Sequence, residues 1–172
     1  MRNPIPAVNR RRHSRQDRGV GLIEILIAVL VLSIGFLGMA ALLARSLTNN
    51  NSAMARTQTV VAAYSILDAM RADRNSALAG GYDTTATYSL DASGNPQCAL
   101  EPALTGLAAA QVQQWCLGTG GGSPDGLAAL GPGAIGTIAC SANGDCTVTV
   151  TFDDSRATAG SATQALTTKT KL

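Results

Sequence analysis

Aromatic side chains are nearly missing from this sequence: one tryptophan, three tyrosines and two phenylalanines occur among 172 residues. In other respects the composition is that of a folded protein, long enough for one small domain and an accessory element. Histidine is scarcer still, since His13 is the only one and lies among the N-terminal arginines. Serine–histidine–aspartate, cysteine–histidine and histidine–metal chemistry are therefore excluded from everything that follows it. No CxxC spacing occurs, which argues against a zinc site, and no Gly-Lys-Ser/Thr occurs, which excludes a P-loop. Gly131-Pro-Gly-Ala-Ile-Gly136 matches the dinucleotide fingerprint in letters. It precedes an expected strand instead of following one and opens no helix, so it reads as a surface loop. The scattered Asp and Glu residues could form a catalytic pair only through folding. No cofactor and no catalytic residue is expected.

Charge is unevenly spread. Residues 1–19 contain Arg2, Arg10, Arg11, Arg12, Arg15 and Arg18 against Asp17, whereas the rest of the chain has seven Lys/Arg against ten Asp/Glu. The overall +2 thus combines +5 in the leader with −3 in the body. A nucleic-acid partner loses its main support, because the body is acidic. The arginine cluster reads instead as the flank that stays cytoplasmic when an apolar segment inserts. Arg10–Arg12 also permits a twin-arginine export signal, but the apolar stretch that follows is long enough to span, which favours an anchor.

That stretch, Val20 to Ala44, has 25 residues and one ionisable group, Glu24. About 20 residues cross a hydrocarbon core of about 30 Å. Fifteen of the 25 are Val, Leu, Ile or Phe, each favouring insertion by about 0.3–0.6 kcal/mol, against about 2.5–3.5 kcal/mol for one central acid. Insertion wins, and Glu24 lies close enough to Arg18 to sit near an interface, where its cost is smaller. The segment continues through Met39, Leu42 and Leu43 into helix-compatible sequence, so any processing point lies before the helix. An intramembrane acid calls for a partner. A cut between Gly19 and Val20 would free an α-amino group in the same layer, and that amine on one subunit could pair with Glu24 of a neighbour, fixing the axial register of the two helices.

Arg-Gly followed by Val-Gly-Leu-Ile-Glu and a long apolar helix resembles the class III signal of type IV pilins and pseudopilins. The resemblance implies that a prepilin peptidase cuts after Gly19, that Val20 becomes the N-methylated terminus, and that Glu24 guides assembly. Val20 stands where the family usually has phenylalanine, and the leader is longer than typical. The stretch Leu67-Asp-Ala-Met-Arg-Ala-Asp-Arg-Asn75, with Ala77, Gly80 and Tyr82, resembles minor pilins of the PilV group, the type IV pilus modification proteins. So does the closing Thr147-Val-Thr-Val-Thr-Phe-Asp-Asp-Ser-Arg156 run. Without the resemblance, the charges between Asp68 and Arg74 are surface pairs at three- and four-residue spacing.

Gly35 and Gly38 lie within the apolar helix and each weakens it by about 1 kcal/mol relative to alanine. Small residues there, with Ser33, Ala40 and Ala41, suit close helix packing. In pilins the corresponding stretch can unwind in the filament, and Ala41 replaces a proline often found near this point, which weakens that expectation and favours a minor subunit. Beyond Arg45 the pattern becomes amphipathic, with Val60, Val61, Tyr64 and Leu67 at three- and four-residue steps. The helix is expected to run to about Ala79, to stop at Gly80-Gly81, and to kink at Asn49-Asn50-Asn51.

After Tyr82 the sequence breaks into short β-like runs: Thr84–Leu90, Ala134–Cys140, Cys146–Phe152 and a last strand around Thr163–Lys171. Thr147–Phe152 alternates with period two, as a strand with one buried face does. Ala103–Leu117 reads as a short helix, and the segment from Gly118 to Gly136 as a glycine-rich loop. The expected fold is α+β: a long N-terminal helix packed on an antiparallel sheet of about four strands. Its parts are a leader at 1–19, a transmembrane and assembly helix at 20–44, an amphipathic continuation at 45–80 and a globular periplasmic domain at 81–172. Cys98, Cys116, Cys140 and Cys146 all follow the span, on the side opposite the arginines, where an oxidising compartment favours disulfides. Three connectivities are possible. Cys140 with Cys146, flanking the turn Ser141–Asp145, is favoured, which leaves Cys98 with Cys116.

These readings leave three functional classes: a minor pilin, a pseudopilin of a type II secretion machine, and a membrane-tethered adhesion module that never polymerises. The expected partners are the prepilin peptidase, other major and minor pilins, and the inner membrane.

Overall fold

A computed structural model of the chain describes residues 21–119, 125–157 and 160–172. Two compact units are present, one ending at Ala41 and the other running from Leu42 to Leu172. Helix α1 (Leu22–Ala72) contributes to both.

Within the second unit α1 buries Thr59, Ala62, Ala63, Ile66, Leu67 and Met70, the three- and four-residue spacing of one helical face. The expected kink at Asn49–Asn51 is absent, and Thr48-Asn-Asn-Asn-Ser52 is helical throughout. Each of these residue types costs roughly 0.5–0.7 kcal/mol relative to alanine inside a helix, so the stretch is intrinsically weak and something outside it must hold it. The interruption comes later, at Asp73, whose φ of −119° and ψ of 53° leave the helical region before the short helix α2 (Arg74–Leu78). The chain then stops as composition requires. Gly81 N–H donates to Ser76 O at 2.8 Å and Gly80 N–H to Ala77 O at 3.2 Å, with Gly80 at φ +77°. This is the Schellman closure, and its left-handed residue is a glycine.

The sheet has five strands: β1 (Thr84–Leu90), β2 (Pro96–Glu101), β3 (Ile135–Cys140), β4 (Asp145–Phe152) and β5 (Gln164–Lys171), in the spatial order β2-β1-β3-β4-β5. All neighbours are antiparallel. The strand missing from the sequence reading is β2. It begins with proline, lacks β-branched residues and lies at an edge with no fully buried side chain, so it carries no periodic signal; pairing with β1 makes it a strand. Asp91 closes the connecting turn, its carboxylate accepting the Ser93 and Asn95 N–H groups at 2.8 Å each.

Between β2 and β3 come helix α3 (Gly106–Leu117) and a 3₁₀ turn, Gly126–Leu130, inside the segment expected to be loop. Helix α3 starts three residues later than expected because Thr105, its N-cap, is still extended. The second half of α1, α3 and the 3₁₀ turn cover one face of the sheet, joining Ile66, Leu67, Val112, Trp115 and Leu127 to Tyr88, Ile138, Val148 and Val150 in one core. On the other face Thr85, Thr137, Thr149 and Thr167 stand in cross-strand register on four adjacent strands. Hydroxyl pairs link the two ends of this row, Thr85 with Thr137 at 3.4 Å and Thr149 with Thr167 at 3.0 Å. Threonine suits this position: its branched side chain favours the strand and its hydroxyl tolerates water.

Candidate assembly segment

Two of the sequence-identified positions, Gly19 and Val20, lie outside the described residues; Glu24 lies within them. It occupies the first turn of α1 and is that turn's only acid. Its N–H donates to Gly21 O at 2.9 Å, and its side chain is exposed. A carboxylate near a helix N-terminus is favoured by the helix dipole.

Around and beyond Glu24 the helix is apolar on every side. Each large apolar residue from Leu22 to Leu43 is at least half exposed, from 50% at Ile25 to 83% at Leu22. A surface helix normally confines such residues to one stripe facing a core. Here no stripe is buried, and α1 is long and apolar enough to cross a membrane by length and composition. The Ser33 hydroxyl donates to Val29 O at 2.7 Å, one turn back, which satisfies its donor within the helix. A Cβ placed on Gly35 or Gly38 would meet nothing within 4 Å. Packing within the chain therefore does not require glycine at either position.

The second unit holds the cysteines. Cys98 on β2 is bonded to Cys116 on α3, and Cys140 on β3 to Cys146 directly opposite on β4. The first bridge staples the edge strand to the covering helix, and the second closes the β3–β4 hairpin. Met70 of α1 brings its sulfur to 3.8 Å from that of Cys140.

Trp115 is the centrepiece of the covering layer. Its indole Nε1–H donates to Ala62 O of α1 at 2.8 Å, and its ring lies over Gly136 so closely that a Cβ there would come to 2.1 Å from Cη2. Tyr82, fully buried, has two acceptors within reach of its single hydroxyl proton, Gln111 Oε1 and, at 3.4 Å, Asp73 Oδ2. Burial, with the Asp73 carboxylate beside it, pushes the Tyr82 phenol up to about 12. Three surface carboxylates move the other way because neighbouring donors favour their charged form. Asn95 lowers Asp91, Thr119 lowers Asp125 and Ser155 lowers Asp153. Each closes a turn or loop.

Among the described residues no group of three or more His, Cys, Asp or Glu side chains is placed to hold a metal ion. A cleft of about 290 Å³ lies between α1 and α3, lined by Ile66, Gln111, Gln114, Trp115 and Asp125 among others. Its one hydroxyl–carboxylate pair among the described residues is Thr119 Oγ1 donating to Asp125 Oδ2 at 2.7 Å. Sequence reasoning missed three features here. The edge strand β2 and the seat of Trp115 depend on long-range pairing. Asp154, 5% exposed, enters the sequence reading only as part of the Thr147–Arg156 run that resembles the PilV group, since nothing local distinguishes it from Asp153.

One comparison with known proteins bears on this segment. A family model describing the prokaryotic N-terminal methylation motif matches residues 14–40, which include Gly19, Val20 and Glu24. No curated protein matches the chain, and no solved structure does. A methylation motif on an apolar helix, followed by a helix-covered antiparallel sheet, fits membrane anchoring and suggests a structural subunit rather than an enzyme; it supports a type IV pilin-like protein.

Proposed function

We propose that this chain is a minor type IV pilin, a non-catalytic subunit that enters the pilus or primes its assembly. The observation that carries the reading is the methylation motif over residues 14–40, which runs into the part of α1, Leu22–Leu43, whose large apolar side chains are at least half exposed among the described residues. Prepilin peptidase cuts between Gly19 and Val20 and methylates the new terminus of Val20. Before assembly the chain crosses the inner membrane once, with residues 1–19 cytoplasmic, 20–44 spanning, and the sheet on the periplasmic side. In the fibre the apolar helix leaves lipid for the helices of other major and minor pilins. Glu24 then pairs with the α-amino group of a neighbouring subunit, because two buried charges are tolerated only as a pair. Gly35 and Gly38, which no contact inside the chain requires, allow close approach of those helices. Among minor pilins, the PilV-like stretches at Leu67–Tyr82 and Thr147–Arg156 favour the pilus over the secretion pseudopilus.

Intact-mass analysis of the membrane-extracted protein tests the processing step. The expected mass is that of a chain beginning at Val20 with one added methyl; a chain still beginning at Met1 overturns the pilin reading. Shearing surface fibres and probing for the subunit tests the rest. Presence in sheared pili is expected, whereas a processed subunit found only in a secretion pseudopilus identifies a pseudopilin.

A further inference from the structure

The weak helical stretch Thr48–Ser52 ends on a contact that reaches about a hundred residues along the chain. On the β4–β5 connection, Asp154 is 5% exposed. Its Oδ2 accepts the Ser52 hydroxyl at 2.7 Å and Nη2 of Arg56 at 3.2 Å. Ser52 and Arg56 are one helical turn apart, so a single carboxylate oxygen grips one face of α1. The connection is itself braced: Asp154 N–H donates to Ser161 O at 2.9 Å, and Ala157 N–H to Asp154 O at 3.0 Å. The carboxylate is therefore held from a closed loop.

Its position along α1 gives the contact its consequence. The first residue of α1 buried in the core is Thr59, two turns after Ser52. Upstream of Thr59 the side-chain hydrogen bonds from α1 to other elements of the second unit, among the described residues, are the two made to Asp154. Four consecutive poor helix formers, Thr48 to Asn51, lie just before this grip and Ser52 is the fifth, and serine and asparagine side chains compete for backbone groups when they are free to do so. Ser52 does not compete, because Asp154 engages its hydroxyl.

We infer that Asp154 is a latch that keeps the Thr48–Ser52 stretch helical. Latched, α1 runs on unbroken through the asparagines; unlatched, the asparagines become a hinge. The functional side of the inference rests on the pilin reading, since a subunit that packs laterally through its helix needs that helix unbroken. Asp154 is a positioning residue in this scheme and touches no partner molecule.

Hydrogen–deuterium exchange on the full chain in detergent micelles tests the latch without reference to any fibre. In Asp154→Asn, amide exchange over residues 48–56 is expected to rise about tenfold or more, while β3 and β4 keep their protection. Exchange over 48–56 within twofold of the unsubstituted protein, with the sheet still protected, overturns the latch. Where Asp154→Asn unfolds the sheet as well, Ser52→Ala and Arg56→Gln give the same reading from the helix side. Both are expected to loosen 48–56 severalfold, and no change in either overturns the latch. Fibre incorporation is scored separately. A severalfold loss in Asp154→Asn with cleavage at Gly19–Val20 intact supports the functional role, and full incorporation overturns it. If the unsubstituted chain is neither cleaved nor incorporated, the pilin reading fails while the exchange result still decides the latch.

Discussion

The two units are built from the same helix by opposite rules. From Leu22 to Ala41 α1 has one ionisable side chain and no buried residue; in the second unit, from Thr59 onward, one face of it enters a core. The first half satisfies its backbone internally and leaves its side chains to an environment supplied from outside, which is what lipid or neighbouring helices provide. The second half is completed by its own chain, through Trp115, the sheet and two disulfides. Substitutions in the first unit are therefore expected to change assembly and leave folding alone, and substitutions in the second to do the reverse.

The largest expected effect is at Glu24. Glu24→Gln should insert and be processed normally, yet enter sheared fibres at least tenfold less than the unsubstituted chain, with the thermal midpoint of the second unit unchanged. Normal incorporation would break the charge-pairing idea; a lowered midpoint would break the separation of the two units. Next is Gly136→Ala, where the added methyl meets the Trp115 ring and also comes to 3.1 Å from Leu127. Overpacking of this kind should cost about 3 kcal/mol in denaturant titration, with membrane insertion unaffected.

The disulfides give a graded pair. Closing the chain between Cys98 and Cys116, 18 residues apart, is worth about 3 kcal/mol by loop entropy, and between Cys140 and Cys146, 6 apart, about 2 kcal/mol. Replacing each pair by alanines and comparing denaturation midpoints should reproduce that order; equal losses would show that the longer loop is already ordered when unfolded. The smallest effect is confined to alkaline pH. Tyr82 is raised in the folded state to about 12 from an ordinary 10. Below pH 10 both states hold the proton. Between 10 and 12 only the folded state does, so stability falls as pH rises through that window. Tyr82→Phe should flatten the fall, as followed by thermal midpoints from pH 8 to 12.

How much could be read from sequence divides along the same line. The apolar segment and the place of Glu24 are properties of consecutive residues, so composition shows them. In the second unit the strands with alternating β-branched residues, Thr84–Leu90 and Thr147–Phe152, were equally visible, as was the glycine stop at Gly80-Gly81. β2 was not, because Pro96-Gln-Cys-Ala-Leu-Glu101 becomes a strand only by pairing with β1. The asparagine run misled in the other direction. Its propensity argues for a bend, and a carboxylate about a hundred residues away cancels that preference. Local chemistry names the weak point; only the fold shows what holds it.

Trp115 also has a use outside packing. It is the only tryptophan in the chain, and its indole is buried and hydrogen-bonded to α1 next to Cys116, which is in a disulfide. The protein thus contains its own optical reporter, whose burial predicts emission at short wavelength while helix and sheet remain docked. A red shift as they part would allow the folding of the second unit to be followed in the purified protein without any label.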